Sequence, residues 1–337
     1  MDLKLRKDAY ICPQIPVATH LTCPASAVIM GTSQCNENYF IVGKVNGDVI
    51  FFGEFRQLAY YYSPVESPIT AIACGKLTQS FDEVISISAD GLLQSIHFPF
   101  PNGPPSSPYL LFDQLLNANI CAARIDDIDG DGINELLVVM TDRVVRSYRY
   151  VDTRLQSLNK WELPAQIRGL SLGRTSNGRF YALLAQAMQN YAVRIDFVEN
   201  NCITIPQIVA DERNCSIDVP FNPVCVNLIN SLCRKLLVVD EDCKNDYELK
   251  NIGGLIVATS VVILKSGIRL IVTSDTRGNL LIYGWTDDKV KVDHMAAIES
   301  VEQNAFLVGV STLHSTVAIY RITLTSLFQT NLDIPRP

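Results

Sequence analysis

YFIVGKVNGDVIFFGEF (residues 39–55), DEVISISADGLLQSIHF (82–98) and NELLVVMTDRVVRSYRY (134–150) share one plan, in which an apolar run, a tight polar turn and a second apolar run follow in order. Asn46-Gly47 and Asp90-Gly91 hold the first two turns and Asp142 the third. Asn-Gly or Asp-Gly between apolar runs marks a hairpin, because both central residues of a type I′ turn need positive φ. RFYALLAQAMQNYAVRIDF turns around Asn190, IRLIVTSDTRGNLLIYGW around Arg277-Gly278 and NAFLVGVSTLHSTVAIYRI around His314. Runs of Val, Ile, Leu, Tyr and Phe alternate with turn residues, and a clean helical period is almost absent, so the class is all-β.

From 46 the turn centres advance to 90, 142, 190, 277 and 314, in steps of 44, 52, 48, 87 and 37 residues. One four-stranded propeller blade takes about 40 to 50 residues, so the period predicts a β-propeller with six visible blades. The step of 87 fits two blades or one blade with an insertion. A seventh blade comes either from CVNLINSLCRKLLVVD (225–240) or from the two chain ends sharing one; the sequence leaves the choice open. A β-sandwich also repeats its strands, every 8 to 12 residues or so. It has no reason to superpose the longer period, or to open each unit with an Ala/Ile-rich strand such as ITAIACGKL, ICAARIDDI or IRGLSLGRT. The expected division is a strand or tail over 1–27, the propeller over 28–323 with an irregular insertion at 199–251, and a tail over 324–337.

Composition narrows the function classes. A formal charge of −7, from 28 basic and 35 acidic residues, gives nucleic acid or an anionic membrane no electrostatic reason to bind, which leaves protein as the default partner. The first twenty residues contain no secretory apolar run, and the greasy stretch 252–264 is broken by Lys265 and Arg269, far short of a spanning helix. The expected location is therefore cytoplasmic. Ten cysteines without CxxC pairs predict reduced, mostly buried thiols, five of them inside 199–251.

ARIDDIDGDGINELLVV carries the chemistry. Asp127, Asp129 and Asp131 fall at alternate positions, Gly130 and Gly132 let the backbone curl, and Glu135 follows eight residues after the first aspartate. Hard cations take six to eight oxygens at about 2.3–2.6 Å, and crowded carboxylates supply most of such a shell. The expected ligands for Ca2+ or Mg2+ are thus Asp127, Asp129, Asp131, the carbonyl of Ile133 and Glu135. An EF-hand would need Glu where Val138 stands and a helix before the loop; instead the strand LLVVM follows. The competing reading is a polar turn whose aspartates cap backbone N–H groups without an ion.

DIDGDGINELLVV resembles the FG-GAP repeat of integrin α-subunit propellers, in which such a loop holds calcium. TDRVVRSYRY followed by SLNKWELPAQIRGLSL, together with FIVGKVNGDVIFFGEF, ISADGLLQSIHF and KVDHMAAI, is similar in order and spacing to the integrin-alpha FG-GAP repeat-containing protein 2 family. The resemblance spans residues 28–323, with its specific motifs in the middle. It implies a seven-bladed scaffold subunit of the KICSTOR complex, which resides on lysosomes and helps place a negative regulator of the target-of-rapamycin kinase there when nutrients are scarce. Implied partners are a kaptin-like propeller and the large SZT-type subunit, and implied localisation is peripheral to the lysosomal membrane through them. Carried over by position, the ion ligands are Asp127, Asp129, Asp131 and Glu135, with Glu where an integrin blade has Asp.

His20, His97, His294 and His314 form no metal spacing, Walker and GxGxxG motifs are missing, and the one GxSxG string, GLSLG (169–173), falls inside the strand run IRGLSLGRT and forms no strand-to-helix elbow. The expectation is a non-enzyme. An integrin-type adhesion module and a propeller enzyme with an unrecognised site stand as alternatives. A WD-repeat scaffold lacks its Trp-Asp pair, since Glu162 follows Trp161 and Thr286 follows Trp285. Tyr60-Tyr61-Tyr62 is expected to pack between blades, and FPFPNGPPSSPY (98–109) to form a surface loop between blades.

Overall fold

The computed structural model describes residues 19–205, with breaks at 33–37, 54–56, 79–81, 98–106, 176 and 190, and from residue 224 the strand segments named below. A short strand, β1 (Thr19–His20), leads into a first blade of β2 (Ala25–Thr32), β3 (Asn38–Lys44), β4 (Val49–Phe52) and β5 (Gln57–Tyr61). The second holds β6 (Ile69–Gly75), β7 (Glu83–Ser88), β8 (Leu92–His97) and β9 (Tyr109–Leu115). The third holds β10 (Ile120–Asp126), β11 (Glu135–Met140), β12 (Val144–Val151) and β13 (Arg154–Glu162). The fourth holds β14 (Ile167–Arg174), β15 (Phe180–Gln186), β16 (Ala192–Asp196) and β17 (Asn201–Ile205). Three strands make the fifth: β18 (Val224–Ile229), β19 (Arg234–Val239) and β20 (Asp246–Lys250). The sixth holds β21 (Ile256–Ile263), β22 (Arg269–Asp275), β23 (Leu280–Ile282) and β24 (Trp285–Asp287). The last holds β25 (Val292–Glu299), β26 (Ala305–Thr312) and β27 (Thr316–Thr323).

Among the described residues these strands form seven sheets, and in six of them sheet order follows chain order. In the seventh, β1 adds to the outside of β27, pairing Thr19 with Val317 and His20 with Thr316. The innermost strand β2 lies against β25 of this sheet, and β25 lies against β21, so the ring closes on itself. The two candidates for the seventh blade are therefore both present. One explains the step of 87 residues, as the sheet β18–β20, and the other completes the blade of the His314 hairpin.

The Ala/Ile-rich segments are the innermost strands, where sheets converge and small side chains are needed. All the innermost strands but β18 also carry a register shift near the start, between Ala25 and Ala27, Ile69 and Ala71, Ile120 and Ala122, Ile167 and Gly169, Ile256 and Ala258, and Val292 and His294. An extra residue in one strand bends it and increases its twist, which suits a strand entering the crowded centre of a ring.

The core is a set of inter-blade layers. Ala27, Ile41, Val49, Phe51, Ile69, Ile72 and Ile96 fill the seam between the first and second blades. Ile85, Leu93, Leu136, Val138 and Tyr148 fill the next. Ile128, Leu137, Val139, Trp161, Leu184 and Ile195 join the third and fourth. Phe40, Val42, Ile50 and Phe52 meet Val317 at the closing seam. The sheets of the first three blades are thus buried on both faces, which accounts for runs as apolar as Val49–Phe52 in β4 and 136–140 in β11.

Two expectations need revision. The link 98–109 joins β8 to β9, and His97 pairs with Tyr109, so it lies within the second blade and not between blades. A proline-rich stretch interrupts a hairpin as readily as a blade junction, and only the pairing tells them apart. The three tyrosines also divide: Tyr61 is buried and Tyr60 half-buried, whereas Tyr62 is 74% exposed.

Candidate metal centre

The acidic loop connects the innermost strand of the third blade, β10, to β11. Ile128 anchors it in the seam with the fourth blade, while Gly130 and Gly132 take φ of 81° and 89°, conformations open to glycine at little cost. The aspartates organise the backbone. Asp127 accepts the N–H of Gly130 (2.8 Å) on one oxygen and that of Gly132 (2.9 Å) on the other. Asp129 Oδ1 accepts from the Asp131 amide at 3.2 Å, and Asp131 Oδ1 from the Ile133 amide at 2.9 Å. Asn134 donates to the Lys76 carbonyl at 2.7 Å, tying the loop to the corresponding loop of the second blade.

Glu135 is fully buried and turns back under the loop, its Oε2 accepting the Ile128 N–H at 3.1 Å. Directly opposite it on β12 stands Arg149. The guanidinium Nε donates to Glu135 Oε1 at 2.8 Å, and the terminal nitrogens reach Asp129 Oδ2 at 3.0 Å and Asp131 Oδ2 at 2.8 Å. The electrostatics follow. Burial works against the charge of Arg149, but Glu135, Asp131 and Asp129 outweigh it and hold its pKa above the ordinary value. The Ile133 N–H, with help from Arg149, holds Asp131 below the usual carboxylate range. Burial pushes Glu135 up against the pull of Arg149 and the Ile128 amide.

Of the five expected ligands, the structure brings one carboxylate oxygen each from Asp127, Asp129 and Glu135 within 4.8 Å of one another. Asp131 turns to Arg149, and Ile133 enters the network through its N–H. The donor set suits a hard cation in type and spacing. With Arg149 in place it does not fit one, because the guanidinium takes up oxygens of Asp129, Asp131 and Glu135 and would repel a second positive charge at the same point.

Sequence reasoning missed Arg149 although it lies within the quoted RVVRSYRY. Counting seven residues either way from Asp142 puts it opposite Glu135. It missed two buried polar groups as well. Glu83, the first residue of β7, is fully buried, and its Oε1 accepts from the Leu77 amide (2.9 Å), the Thr78 amide (2.5 Å) and the Thr78 hydroxyl (2.8 Å). Its Oε2 accepts from the Ser95 hydroxyl. In the first blade Lys44, 1% exposed, donates to Tyr60, whose hydroxyl donates to Asp48 at 2.6 Å. Cys23, Cys74, Cys121 and Cys202 are free thiols, and burial pushes Cys74 to about 12 and Cys121 to about 11.

On the opposite face, formed by the turns between second and third strands and the blade-to-blade connections, Val45, Tyr62, Val65, Leu115 and Met188 stand exposed.

Blades of this kind, arranged so that the first meets the last, define a β-propeller, here with an aspartate-rich loop after the innermost strand of the third blade. Within that class, residues 60–214 match the family described as Integrin-alpha FG-GAP repeat-containing protein 2, which bears out the resemblance over that stretch. The chain is 27% identical to the KICSTOR complex protein ITFG2 of Mus musculus over 154 residues, covering 40% of this chain and 35% of the relative. Against the protein of that name from Bos taurus it is 28% identical over 157 residues, covering 40% and 29%. The chain thus matches about a third of the length of these relatives. Among solved structures, BBS1N in complex with ARL6DN superposes with a TM-score of 0.62 at 12% identity, over 94% of this chain and 98% of that one. The Cps50 (Swd1) beta-propeller domain of Myceliophteria thermophila gives 0.58 at 10%, over 90% and 99%. Likeness at this identity speaks for the fold alone. Among the described residues no helix is long and apolar enough to cross a membrane.

Proposed function

We propose that the chain is a non-enzymatic scaffold subunit of a KICSTOR-type assembly, acting at the lysosomal surface in the nutrient control of target-of-rapamycin signalling. The observation that carries this reading is the family match over residues 60–214, which runs from the outer edge of the first blade beyond the last strand of the fourth, with relatives named as members of that complex. The site chemistry agrees. The buried polar groups found here, Lys44 with Asp48 and Tyr60, and Glu83 with Ser95, serve the packing of their own blades.

A protein-facing role also gives a use to the apolar side chains left on one face. Tyr62 and Leu115 are 74% and 70% exposed on neighbouring blades, and apolar groups clustered on a surface mark protein contacts. We assign that face to a fellow subunit of the complex. The test is co-expression of the chain with the kaptin-like propeller and the SZT-type subunit of its own cells. Co-elution as one species, lost in a Tyr62→Ser, Leu115→Ser variant that melts like the wild type, supports the proposal. Separate elution in every combination overturns it.

A further inference from the structure

We infer that the acidic loop of the third blade is closed by the chain's own Arg149, which takes the place of the divalent cation such a loop would otherwise need. The arginine is tethered on β12 opposite Glu135 and is only 18% exposed, so it is held where the charge is required. It forms ion pairs with Asp129, Asp131 and Glu135. The remaining aspartate, Asp127, spends both oxygens on the amides of Gly130 and Gly132. Every carboxylate that crowding would set in repulsion therefore already has a donor. A planar guanidinium, with its five N–H donors in a fixed fork, is suited to bridge several carboxylates at once.

A second observation comes from the neighbouring blade. Glu83 is the first residue of its second strand, as Glu135 is of its own, and both are fully buried. Both also bend back to accept amides of the loop just before them, Leu77 and Thr78 in one case and Ile128 in the other. The second blade has no aspartate-rich loop, yet its glutamate clamps the loop in the same way. Glu135 is thus a glutamate of the blade architecture. What distinguishes the third blade is that the residue opposite this glutamate is Arg149, where the second blade has His97.

The inference is independent of which complex the chain joins. It is tested by melting the purified chain in EDTA, in millimolar calcium and in millimolar magnesium, with terbium luminescence as the direct binding probe. The wild type should melt at one temperature in all three and show no saturable terbium signal. Arg149→Gln should melt lower in EDTA by at least about 1.4 °C, the scale of a 1 kcal/mol loss at about 2.1 cal/mol/K per residue in a chain this long. Calcium should restore it, and adding Asp127→Asn with Asp129→Asn should abolish that recovery. A saturable rise in wild-type melting with calcium would overturn the inference, as would an Arg149→Gln chain as stable as the wild type in EDTA. Because the wild-type comparison needs no variant, it decides the matter alone if Arg149→Gln does not fold.

Discussion

Replacing Gly309 by alanine probes the seam at which the last blade meets the first. A Cβ at this position of β26 would lie 2.3, 2.5 and 2.7 Å from three ring carbons of Phe40 on β3. All three distances are closer than non-bonded carbons tolerate, and Phe40 is fully buried among Val42, Ile50, Phe52 and Val317, with little room to retreat. Overpacking of this kind costs about 1–3 kcal/mol, and at about 1.4 °C per kcal/mol for a chain this long the melting temperature should fall by about 1.5–4 °C. Differential scanning fluorimetry of the purified chain reads the shift. Phe40→Leu opens a gap of its own, so it should be destabilising alone, yet in the double variant the methyl group occupies part of that gap and the combined loss should be smaller than the sum of the two single losses. An alanine variant that melts with the wild type, or two losses that add fully, would refute the packing of the last blade on the first.

Other consequences concern the buried polar groups. Glu83→Ala leaves the amides of Leu77 and Thr78 and the Ser95 hydroxyl without their acceptor, and should cost about 3 kcal/mol by urea titration. Glu83→Gln, which keeps one acceptor oxygen, should cost clearly less, and equal losses would count against the clamp. Burial pushes the Asp48 carboxyl up, but the Tyr60 hydroxyl, the amides of Ser63 and Asn46 and the Lys44 ammonium together bring it below its ordinary 3.8. A carboxylate with a depressed folded pKa contributes stability that is present above its unfolded pKa and lost as pH falls through the folded value. The wild type should therefore lose more stability than Asp48→Asn between pH 5 and about pH 3; parallel acid profiles would contradict this.

Hairpins were legible because their signal is local: Asn46-Gly47 and Asp90-Gly91 each sit between runs of β-branched and aromatic residues, and strands flank both turns. The period then supplied the architecture. The closing blade was not decidable, since the partner of β27 is a two-residue strand some three hundred positions away, with no pattern of its own. The link 98–109 was misplaced for a related reason: composition marks a loop without saying which strands it joins. At the site, Asp127, Asp129 and Asp131 announce themselves by spacing, whereas Arg149 reads as one more charge in an alternating strand. Its role appears only when register sets it across from Glu135. Glu83 gave still less notice, because a single acidic residue before an apolar run looks the same exposed or buried.

The most direct test of the scaffold reading is purification of the tagged chain from its own cells in mild salt, with mass spectrometry and stoichiometry of what accompanies it. Kaptin-like and SZT-type subunits recovered in stoichiometric amounts are the predicted result. Recovery of the chain alone, at a mass matching a single free subunit, would contradict it.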